Sequence, residues 1–559
     1  MSLRNLLTYI IIKMMIAKGK HDLHKAHKNT VNARSKNEKL LLKILKTNSS
    51  CEYGKKYGFK DIKTVEDFRK KVPITTFNDY EGYIRRMIDN NESNLITSQR
   101  IIGYAQSSGS VGSRKFVPLT QSQINVYTRY TVTKMLAIAD KYHRKKFGKG
   151  IKPGRGFFTP PAFDQYLPNG LPCSNSADVA ARQLGFLFPY ILVTPFNKLF
   201  NVSEADSKYM NFRLGLEDRN LSYIFAIFFM NFTDLFRYLE INWRQIVDDI
   251  EKGVISELGH ASKETEEKLK KKLKPNPKRA AELRAEFEKG FDKTIIKRIW
   301  PNLSVMYGIG SASFLPFVKI ARNYTEGIPY DFSIYGASEG LFAIADRVDE
   351  LNQLLLVDSC YYEFIPIDDE TKILSLDELE KEKDYEIIIT NQCGLYRYKC
   401  GDVIRVKDYL NDCPYLQFSY RKGQLLNLTG EKTTEKHMAA VVNEIEKMSG
   451  TNIKEWCVYT DYTAHPYHYV LLVETENDTD LSSYGERANE ALKKINPRFE
   501  LFFEVKELGT MQIKNIRSGS QDEWKKKQIE SGTSPAQYKP VRILDNSKKE
   551  EFFMSKIIN

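Results

Sequence analysis

The stretch Ala105-Gln106-Ser107-Ser108-Gly109-Ser110-Val111-Gly112-Ser113-Arg114-Lys115 is the segment around which the rest of this sequence is organised. It lies between a strand-like apolar entry at residues 101–104 and an extended exit at residues 116–118. Glycines let backbone amides approach a ligand closely, and hydroxyl groups with Arg or Lys suit a polyphosphate. The spacing differs from that of the standard phosphate loop, G-x-x-x-x-G-K-[ST]. Alone, such a run is typical of a surface turn, so its interpretation depends on four other segments.

The composition indicates a folded protein with more than one domain. A chain of 559 residues is too long for one ordinary domain, and 42% hydrophobic residues can bury a substantial core. The aromatic content of 12% argues against disorder. Seven cysteines, an odd number without C-x-x-C pairs, are typical of a reducing compartment rather than of a disulfide framework.

The formal net charge of +13 means that a nucleic-acid partner has to be considered. The cations are interspersed with acids, as in residues 263–289, and the sequence has no basic and aromatic module motif. We therefore expect a solvated basic surface and no nucleic-acid partner. A positive field would also favour a polyanionic small-molecule substrate.

The N-terminal residues 3–17 are apolar enough to resemble a signal peptide. Lys13 interrupts them, and Lys18 and Lys20 stand where a small-residue cleavage site would come. We predict an amphipathic helix packed on the body of the protein, with peripheral membrane contact as the alternative. The longest apolar run elsewhere, residues 223–232, is far shorter than the roughly 20 residues of a membrane span. These features predict a cytoplasmic protein without a transmembrane segment.

Hydrophobic periodicity predicts an α/β fold with two domains. Helices and strands alternate before residue 330, and hairpins follow it, which predicts a body of helices and mixed sheets. The predicted helices of the body cover residues 65–69, 80–89, 121–142, 231–250 and, as a charged hairpin, 264–290. Its predicted strands cover residues 332–335, 354–357, 385–390 and 403–406, and residues 223–229 are expected to form a buried strand or the start of a helix.

Beyond a linker at residues 424–430, the pattern predicts a compact split βαβ-like unit. Its expected elements are a helix at 434–448, strands at 456–460 and 468–474, a helix at 481–495 and a strand at 501–506. The boundary is therefore placed near residue 427. We predict a large N-terminal domain, residues 1–427, joined by a hinge to a small mobile C-terminal domain, residues 428–559.

Two segments of the body carry residues suited to a nucleotide. Tyr335-Gly336-Ala337-Ser338-Glu339-Gly340 combines an aromatic ring that can stack on a purine with a carboxylate that can hold Mg²⁺. Residues 394–403 alternate aromatics and cations before Gly401-Asp402, and a fixed Asp can accept hydrogen bonds from both ribose hydroxyls. Tight turns with a solvated Glu and a capping Asp explain the same residues structurally.

Two lysines near or beyond the linker have no evident structural role. In residues 430–435, Thr434 suits a helix N-cap and Glu435 the first turn, which leaves Lys432 at the hinge. Lys539 lies in a Gln-Tyr-Lys-Pro segment near the end of the chain. For both lysines, a solvated surface cation is the alternative.

Taken in order, these five segments resemble the Gretchen Hagen (auxin-responsive) acyl acid–amido synthetases, a branch of the acyl-adenylate-forming superfamily. The family motifs read S-S-G-T-x-x-G-x-x-K, Y-x-x-S-E, Y-R-Y-R-x-G-D, D-K-T-T-E and Q-Y-K-x-P-R. The corresponding residues here are 107–115, 335–339, 396–402, 431–435 and 537–542. Further likeness at residues 68–73 and 300–302 extends the resemblance over nearly the whole chain.

The sequence departs from the family pattern at four positions. Ser110 replaces Thr, Lys399 replaces Arg, and Glu431 replaces Asp, all of which keep the chemistry. Val541 interrupts the Pro-Pro that often precedes the final Arg, and this departure concerns only the local path of the tail.

The resemblance implies an ATP- and Mg²⁺-dependent ligase that joins a carboxylic acid to an amino acid through an acyl-adenylate. It implies catalytic roles for Lys432 and Lys539, which would be brought to the phosphate by rotation of the small domain. The implied ATP-binding residues are Ser107, Ser108, Gly109, Ser110, Gly112, Lys115, Tyr335, Gly336, Ala337, Ser338, Glu339, Asp402 and Arg421.

Within this set, the resemblance gives each group a part of the nucleotide. Residues 107–112 would cradle the outgoing pyrophosphate, and residues 335–337 would line the adenine pocket. Ser338 would lie near the α-phosphate and Glu339 would hold Mg²⁺. Asp402 would hold the ribose hydroxyls, with Arg421 as a further candidate beside it.

Three alternatives stay open on the sequence: adenylation followed by transfer to the thiol of coenzyme A, a degenerate nucleotide-binding protein, and a basic nucleic-acid binder. The acyl acid and the amino acid are not specified. We expect residues 221–315 to line the acyl pocket, since Gly308 and Gly310 would allow close approach. His437 is a candidate base for the amine, with a helix-face histidine as the alternative.

Overall fold

The computed structural model describes residues 3–107, 115–158, 166–174, 176–183, 185–194, 204–256, 263–271, 273–310, 315–421, 426–463, 465–530, 540–544 and 547–558. The chain divides into two compact units. The first ends at Ser419 and the second begins at Tyr420. The functional assignment of each unit, and the mobility of the second, stay predictions.

The helices of the first unit include the predicted ones and several that the sequence did not indicate. They are α1 (Leu3–Asn29), α2 (Ala33–Thr47), α3 (Glu52–Lys56), α4 (Val65–Lys71), α5 (Asn78–Asp89), α6 (Gln121–Tyr130), α7 (Val132–Phe147), α8 (Ser176–Gln183), α9 (Phe188–Ile191), α10 (Glu204–Gly215), α11 (Phe229–Lys252), α12 (Lys263–Lys270), α13 (Pro277–Phe287), α14 (Ile295–Ile299) and α15 (Leu315–Arg322).

Its strands are β1 (Ile101–Ser107), β2 (Lys115–Thr120), β3 (Gly156–Phe158), β4 (Cys173–Ser174), β5 (Tyr223–Phe228), β6 (Val305–Ile309), β7 (Tyr330–Asp331), β8 (Ile334–Ala337), β9 (Gly340–Ile344), β10 (Gln353–Leu355), β11 (Tyr361–Pro366), β12 (Asp384–Thr390), β13 (Tyr398–Leu410) and β14 (Cys413–Arg421).

Local signals account for many of these elements. In α4, the Thr64 side chain accepts from the Asp67 amide while Asp67 accepts from the Thr64 amide, a complete capping box. The predicted helix at 121–142 is divided into α6 and α7, because the backbone of Thr131 (φ −101°, ψ −106°) is not helical. The predicted strand at 332–335 lies slightly later, as β8.

Within the described residues, three sheets organise the first unit, which confirms the predicted α/β body with mixed sheets. A parallel sheet has the order β3-β5-β6-β7. A seven-stranded sheet has the order β11-β12-β13-β14-β10-β9-β8, and a third sheet has the order β2-β1-β4. The chain passes from the parallel sheet to the seven-stranded one between β7 and β8, so the Tyr335 segment begins where the two sheets are joined.

The second unit contains α16 (Glu435–Ser449), β15 (Ile453–Asp461), β16 (His468–Thr475), α17 (Gly485–Ile495), α18 (Pro497–Glu504), β17 (Gln512–Asn515), α19 (Ser520–Glu530) and α20 (Ser547–Met554). Its sheet has the order β15-β16-β17. Strands β15 and β16 are antiparallel, whereas β16 and β17 are parallel neighbours joined through α17 and α18. The crossover is therefore a plain βαβ unit rather than the predicted split one.

The predicted strand at 501–506 is wrong, because residues 497–504 form α18. Asn496 caps this helix by accepting from the amides of Arg498 and Phe499, and Pro497 occupies its first turn. The third strand of the sheet is instead β17, at residues 512–515.

All seven cysteines lie within the described ranges and are free thiols. Among the helices that the structure describes, none combines the length and the apolar character needed to cross a membrane.

Candidate functional site

The turn between β8 and β9 is held by three side-chain donors. Tyr127 on α6 donates its hydroxyl to the Ala337 carbonyl oxygen over 2.7 Å. Gln123, one turn earlier on α6, donates to the Glu339 carbonyl oxygen over 2.9 Å, and Asn391 donates to the same oxygen over 2.7 Å. Burial raises the pKa of Tyr127, so its hydroxyl stays a donor. The backbone of this turn is therefore held in place from two elements.

Two tyrosine–carboxylate hydrogen bonds join the hairpin to β13. Tyr335 on β8 donates to Asp402 Oδ2 over 3.1 Å, and Tyr398 on β13 donates to Glu339 Oε1 over 3.3 Å. The arrangement is reciprocal, since hairpin and strand each supply one tyrosine and one carboxylate. Asp402 is 1% exposed and Glu339 is 6% exposed. Since buried carboxylates need hydrogen-bond donors, the two tyrosines orient the carboxylates.

The ring of Tyr335 is enclosed by aromatic neighbours. It meets Phe342 edge-on with ring centroids 5.2 Å apart, and Phe418 in a tilted contact at 5.8 Å. Gly336, Ala337 and Ser338, which follow it, are only half-buried. A buried ring and a half-exposed turn thus lie next to the two oriented carboxylates.

The entry to β13 depends on a buried arginine. Arg397 has a left-handed backbone (φ 47°) and is 4% exposed. Its guanidinium forms a bidentate pair with Glu363, with N–O distances of 2.9 and 3.1 Å. It also donates to the carbonyl oxygens of Arg69 and Val72. These bonds anchor the extended segment at Val72, where Thr75 then pairs with Tyr398. The arginine of the Tyr-Arg-Tyr motif is therefore structural.

A buried ion pair supports the chain where it enters β8. Lys134 on α7 donates to both Asp331 carboxylate oxygens, at 2.7 and 2.8 Å, and to the Ser333 carbonyl oxygen at 3.0 Å. Burial lowers the pKa of Lys134 and raises that of Asp331, and the attraction between the two charges opposes both shifts. Ser333 has a left-handed backbone (φ 68°) and donates its amide to Asp331. The pair holds this strained link two residues before Tyr335.

In the second unit, the loop before α16 is built around a buried carboxylate. Glu431 is fully buried and accepts from the amides of Leu428, Thr429 and Gly430 at 2.7, 2.8 and 3.0 Å. It also accepts a short hydrogen bond from the Tyr469 hydroxyl. Burial and the neighbouring Glu431 carboxylate raise the pKa of Tyr469 well above its usual value, so this hydroxyl stays protonated.

Lys432 directly follows this buried carboxylate. Its backbone is left-handed (φ 52°), and its amide donates to Asn427 Oδ1 over 3.1 Å. The side chain is half-buried rather than fully solvated. The acidic residue before the lysine thus has a structural role, because it gathers the amides that shape the loop.

Comparison with known proteins assigns the chain to a family. The model of the GH3 family N-terminal domain matches residues 22–330, that of the central domain residues 353–421, and that of the C-terminal domain residues 435–548. The chain belongs to the GH3 family. This confirms the resemblance to the Gretchen Hagen family that the five sequence segments indicated.

Relatives within the GH3 family align over nearly their whole length. The indole-3-acetic acid-amido synthetase GH3.6 of Arabidopsis thaliana is 26% identical, with 97% of this chain and 94% of the relative covered. The jasmonoyl–L-amino acid synthetase GH3.5 of Oryza sativa subsp. japonica is 26% identical, with 91% and 92% covered. The solved structure of the GH3.15 acyl acid amido synthetase is 22% identical, covers 95% of both chains and superposes with a TM-score of 0.64, which shows the shared fold.

The structure brings together only part of the residues that the GH3 resemblance singled out. Tyr335, Glu339 and Asp402 meet in the reciprocal pairs, with Gly336, Ala337 and Ser338 in the adjoining turn. Arg421 is the last residue of β14, and Ser107 is the last of β1. The predicted residues Ser108, Gly109, Ser110, Gly112 and Lys539 lie outside the described residues.

Lys115 begins β2 and pairs with Ser107 across the β1–β2 ladder. Its ammonium lies 5.4 Å from the ring centroid of Phe77. The side chain is half-buried, and its assignment to the phosphates stays a prediction.

Thr434 is the helix N-cap that the sequence suggested, and His437 lies in the same cap rather than only on a helix face. Thr434 is the N-cap of α16, and its hydroxyl accepts from the His437 amide over 3.2 Å. The His437 ring returns the contact, because its Nδ1 accepts from the Thr434 amide over 3.3 Å. This capping box gives His437 a structural role, and its candidate role as the base for the amine stays a prediction.

Sequence reasoning missed Gln123, Tyr127, Asn391 and Tyr398 as parts of this GH3 site. The i, i+4 spacing of Gln123 and Tyr127 places them on one helical face, which was the only available signal for that pair. Gly308 and Gly310, expected to admit the acyl acid, instead lie against core rings. A Cβ at Gly308 would come within 3.2 Å of Phe229, and one at Gly310 within 2.6 Å of Phe332.

Proposed function

We propose that this GH3 chain is an ATP-dependent acyl acid–amino acid ligase that works through an acyl-adenylate. The observation that carries the proposal is the reciprocal pairing of Tyr335 with Asp402 and of Tyr398 with Glu339. It joins two family motifs that lie far apart in the sequence into one cluster of oriented carboxylates. The substrates would be a small organic acid and an amino acid, as the names of its relatives indicate for those proteins.

In the first step, a carboxylate oxygen of the acid attacks the α-phosphorus of ATP. A new P–O bond forms, the bond to the β-phosphate oxygen breaks, and pyrophosphate leaves. In the second step, the amino group of the amino acid attacks the acyl carbon and loses a proton. The bond from that carbon to the AMP oxygen breaks, which gives an amide and AMP.

The residues of the first unit would bind and orient the nucleotide. A carboxylate can accept about four hydrogen bonds, so Asp402 could hold ribose hydroxyls together with the Tyr335 hydroxyl. Residues 335–337 would border the adenine, Ser338 would lie near the α-phosphate, and residues 107–112 with Lys115 would cradle the pyrophosphate. Arg421 would stand beside the ribose.

Glu339 is the residue that would hold Mg²⁺, because carboxylate oxygens are the ligands this ion prefers. The ion would neutralise charge on the phosphates. The Tyr398 hydroxyl, which donates to Glu339, would orient the carboxylate for this task.

Lys432 and Lys539 would stabilise the negative charge of the transition state at the α-phosphate, since in-line phosphoryl transfer relies on positioned cations. Both belong to the smaller unit, so we propose that a hinge rotation brings them to the nucleotide for the first step and that the unit swings again between the two steps.

Carboxylate-dependent exchange of labelled pyrophosphate into ATP tests the proposal. Asp402→Ala is expected to lower the exchange rate by on the order of 100-fold, because the ribose loses its acceptor in a buried site. Lys539→Ala should also depress the rate. Asp408→Ala is the matched control, since Asp408 lies on the same strand but is exposed, and it should leave exchange unchanged. Exchange by the wild-type protein without any added acid would contradict the proposal.

The acceptor chemistry separates this proposal from its alternatives. A panel of acids and amino acids, screened by pyrophosphate release, should give a hydroxylamine-resistant amide. A hydroxylamine-sensitive thioester would favour transfer to coenzyme A, and nucleotide binding without pyrophosphate release would favour a degenerate binding protein.

A further inference from the structure

Helix α1 packs against the rest of the first unit along one of its faces. Its buried residues recur every three to four positions and are Thr8, Ile12, Met15, Ile16, Gly19, Asp22, Leu23 and Ala26. A Cβ at Gly19 would lie 2.0 Å from the Thr133 carbonyl oxygen, so the helix approaches α7 as closely as backbone allows. Thr8 donates to the Tyr190 carbonyl oxygen over 2.9 Å, and Lys20 pairs with Asp140 at 2.6 Å. These contacts fix which face points outward.

The outward face of the first half of α1 is apolar. Leu3 is 73% exposed, Leu6 41%, Ile10 43% and Met14 65%. Spacings of three and four residues place these four side chains on one line along the helix. We call them the apolar stripe. Single exposed apolar side chains are normal on protein surfaces, but a continuous stripe over three turns marks an interaction site.

The same outward face becomes basic in the second half of the helix. His21, His24, Lys25 and Lys28 are exposed and continue the line of the apolar stripe at helical spacing. The only acid in α1, Asp22, is buried and paired with Lys18 at 2.6 Å. The outward face therefore has no negative charge over a helix of 27 residues, which is about 40 Å long.

We propose that α1 docks the protein on an anionic membrane surface. The apolar stripe would enter the boundary between headgroups and acyl chains, and Lys25 and Lys28 would contact anionic headgroups, as amphipathic surface helices do. Charge complementarity favours lipid over a second copy of this chain. If two copies paired through this face in parallel, their basic halves would lie against each other. In an antiparallel pair, the lysines would be buried against the apolar stripe.

Sedimentation with lipid vesicles tests this proposal independently of any enzymatic activity. The wild-type protein is expected to bind phosphatidylcholine vesicles containing about a third phosphatidylserine at least tenfold more tightly than pure phosphatidylcholine vesicles, and less tightly at high salt. Ile10→Glu with Met14→Glu should weaken binding by at least tenfold. Lys25→Glu with Lys28→Glu should remove the preference for anionic vesicles.

Ile241→Glu is the matched control, because Ile241 is 76% exposed on the unrelated helix α11, and it should bind vesicles as the wild type does. Thermal unfolding of each variant verifies that the fold is kept. Failure of the wild-type protein to sediment with anionic vesicles would overturn the proposal. So would light scattering that shows a wild-type dimer converted to a monomer by the apolar-stripe substitutions.

Discussion

Each carboxylate of the site accepts a hydrogen bond from a tyrosine on the other element. Tyr335 on β8 donates to Asp402 on β13, and Tyr398 on β13 donates to Glu339 in the β8–β9 turn. Because Asp402 and Glu339 are nearly inaccessible to water, the tyrosine hydroxyls supply donors that solvent cannot replace. Both pairs join the β8–β9 hairpin to β13 but belong to different proposed roles, ribose binding for Asp402 and Mg²⁺ binding for Glu339. Single hydroxyl deletions can therefore separate these roles.

At this scale we predict that Tyr335→Phe raises the KM for ATP by roughly 10- to 100-fold, since loss of one hydrogen bond to a buried charged group costs about 1.5 to 3 kcal/mol. Tyr398→Phe should instead raise the Mg²⁺ concentration that gives half-maximal activity. Steady-state titrations of ATP and of Mg²⁺ with both variants check this. If both variants shift the KM for ATP equally, or both shift the Mg²⁺ requirement equally, the two pairs do not serve separate roles in ribose and Mg²⁺ binding.

At the scale of an element, the loop of residues 426–434 shows how a short segment is shaped by one buried group. Three amides and the Tyr469 hydroxyl converge on Glu431, and Asn496 donates to its carbonyl oxygen and to the Thr433 hydroxyl. This network holds Lys432 in a left-handed conformation that non-glycine residues rarely adopt. The position of the lysine is therefore a property of the whole loop.

We expect Glu431→Gln to lower the free energy of unfolding by about 2 kcal/mol, because a buried amide replaces the charged acceptor of several hydrogen bonds. Pyrophosphate exchange should fall as well, since Lys432 loses its support. Glu435→Gln, at an exposed position in the first turn of α16, should change the stability by less than about 0.5 kcal/mol. Urea unfolding measures both. An unchanged midpoint for Glu431→Gln would argue against this account of the loop.

At the scale of the whole molecule, the first two helices are tied to the loops that connect β9, β10 and β11, about 320 residues later in the chain. His27 Nε2 lies 2.8 Å from Asp346 Oδ2. The side-chain amide of Asn37 donates to the carbonyl oxygens of Val357 and Cys360. Tyr415 also donates to Asp346, over 3.0 Å. These bonds hold the N-terminal helices to the seven-stranded sheet, and α1 depends on them for its orientation.

Asp346 makes this connection pH-dependent. Burial alone would raise the pKa of Asp346, but the hydrogen bonds and charge of its neighbours, His27 above all, hold it below its usual value. A carboxyl group with a lowered pKa stabilises the fold above its unfolded-state pKa, and this contribution is lost as the pH falls. We predict that Asp346→Asn flattens the pH dependence of the free energy of unfolding below about pH 4, relative to the wild type.

Chemical denaturation at a series of pH values measures this effect. Asp89→Asn, at an exposed position at the end of α5, is the control and should follow the wild-type curve. If the free energy of unfolding falls in parallel for Asp346→Asn and the wild type as the pH is lowered, Asp346 is not the source of the pH dependence.

The sequence alone was sufficient to predict local features, such as helices and their caps, that depend on residues a few positions apart. Periodicity indicated the helices at α4, α5 and α11, and the cap at Thr434 followed from side chains that reach their own backbone. Five ordered motifs identified the family. The prediction failed at α18 because its aromatic residues favour a strand, and the helix signals at Asn496 and Pro497 were overlooked.

Only the tertiary structure decided which distant groups share a site. Tyr335 is 67 residues from Asp402, and Gln123 is 216 residues from Glu339, so no spacing rule could pair them. The same holds for Arg397, whose guanidinium pairs with Glu363 and donates to backbone carbonyl oxygens rather than to a ligand. Such pairings follow from how sheets and helices pack, because burial requires each polar group to find its partner wherever the fold provides one.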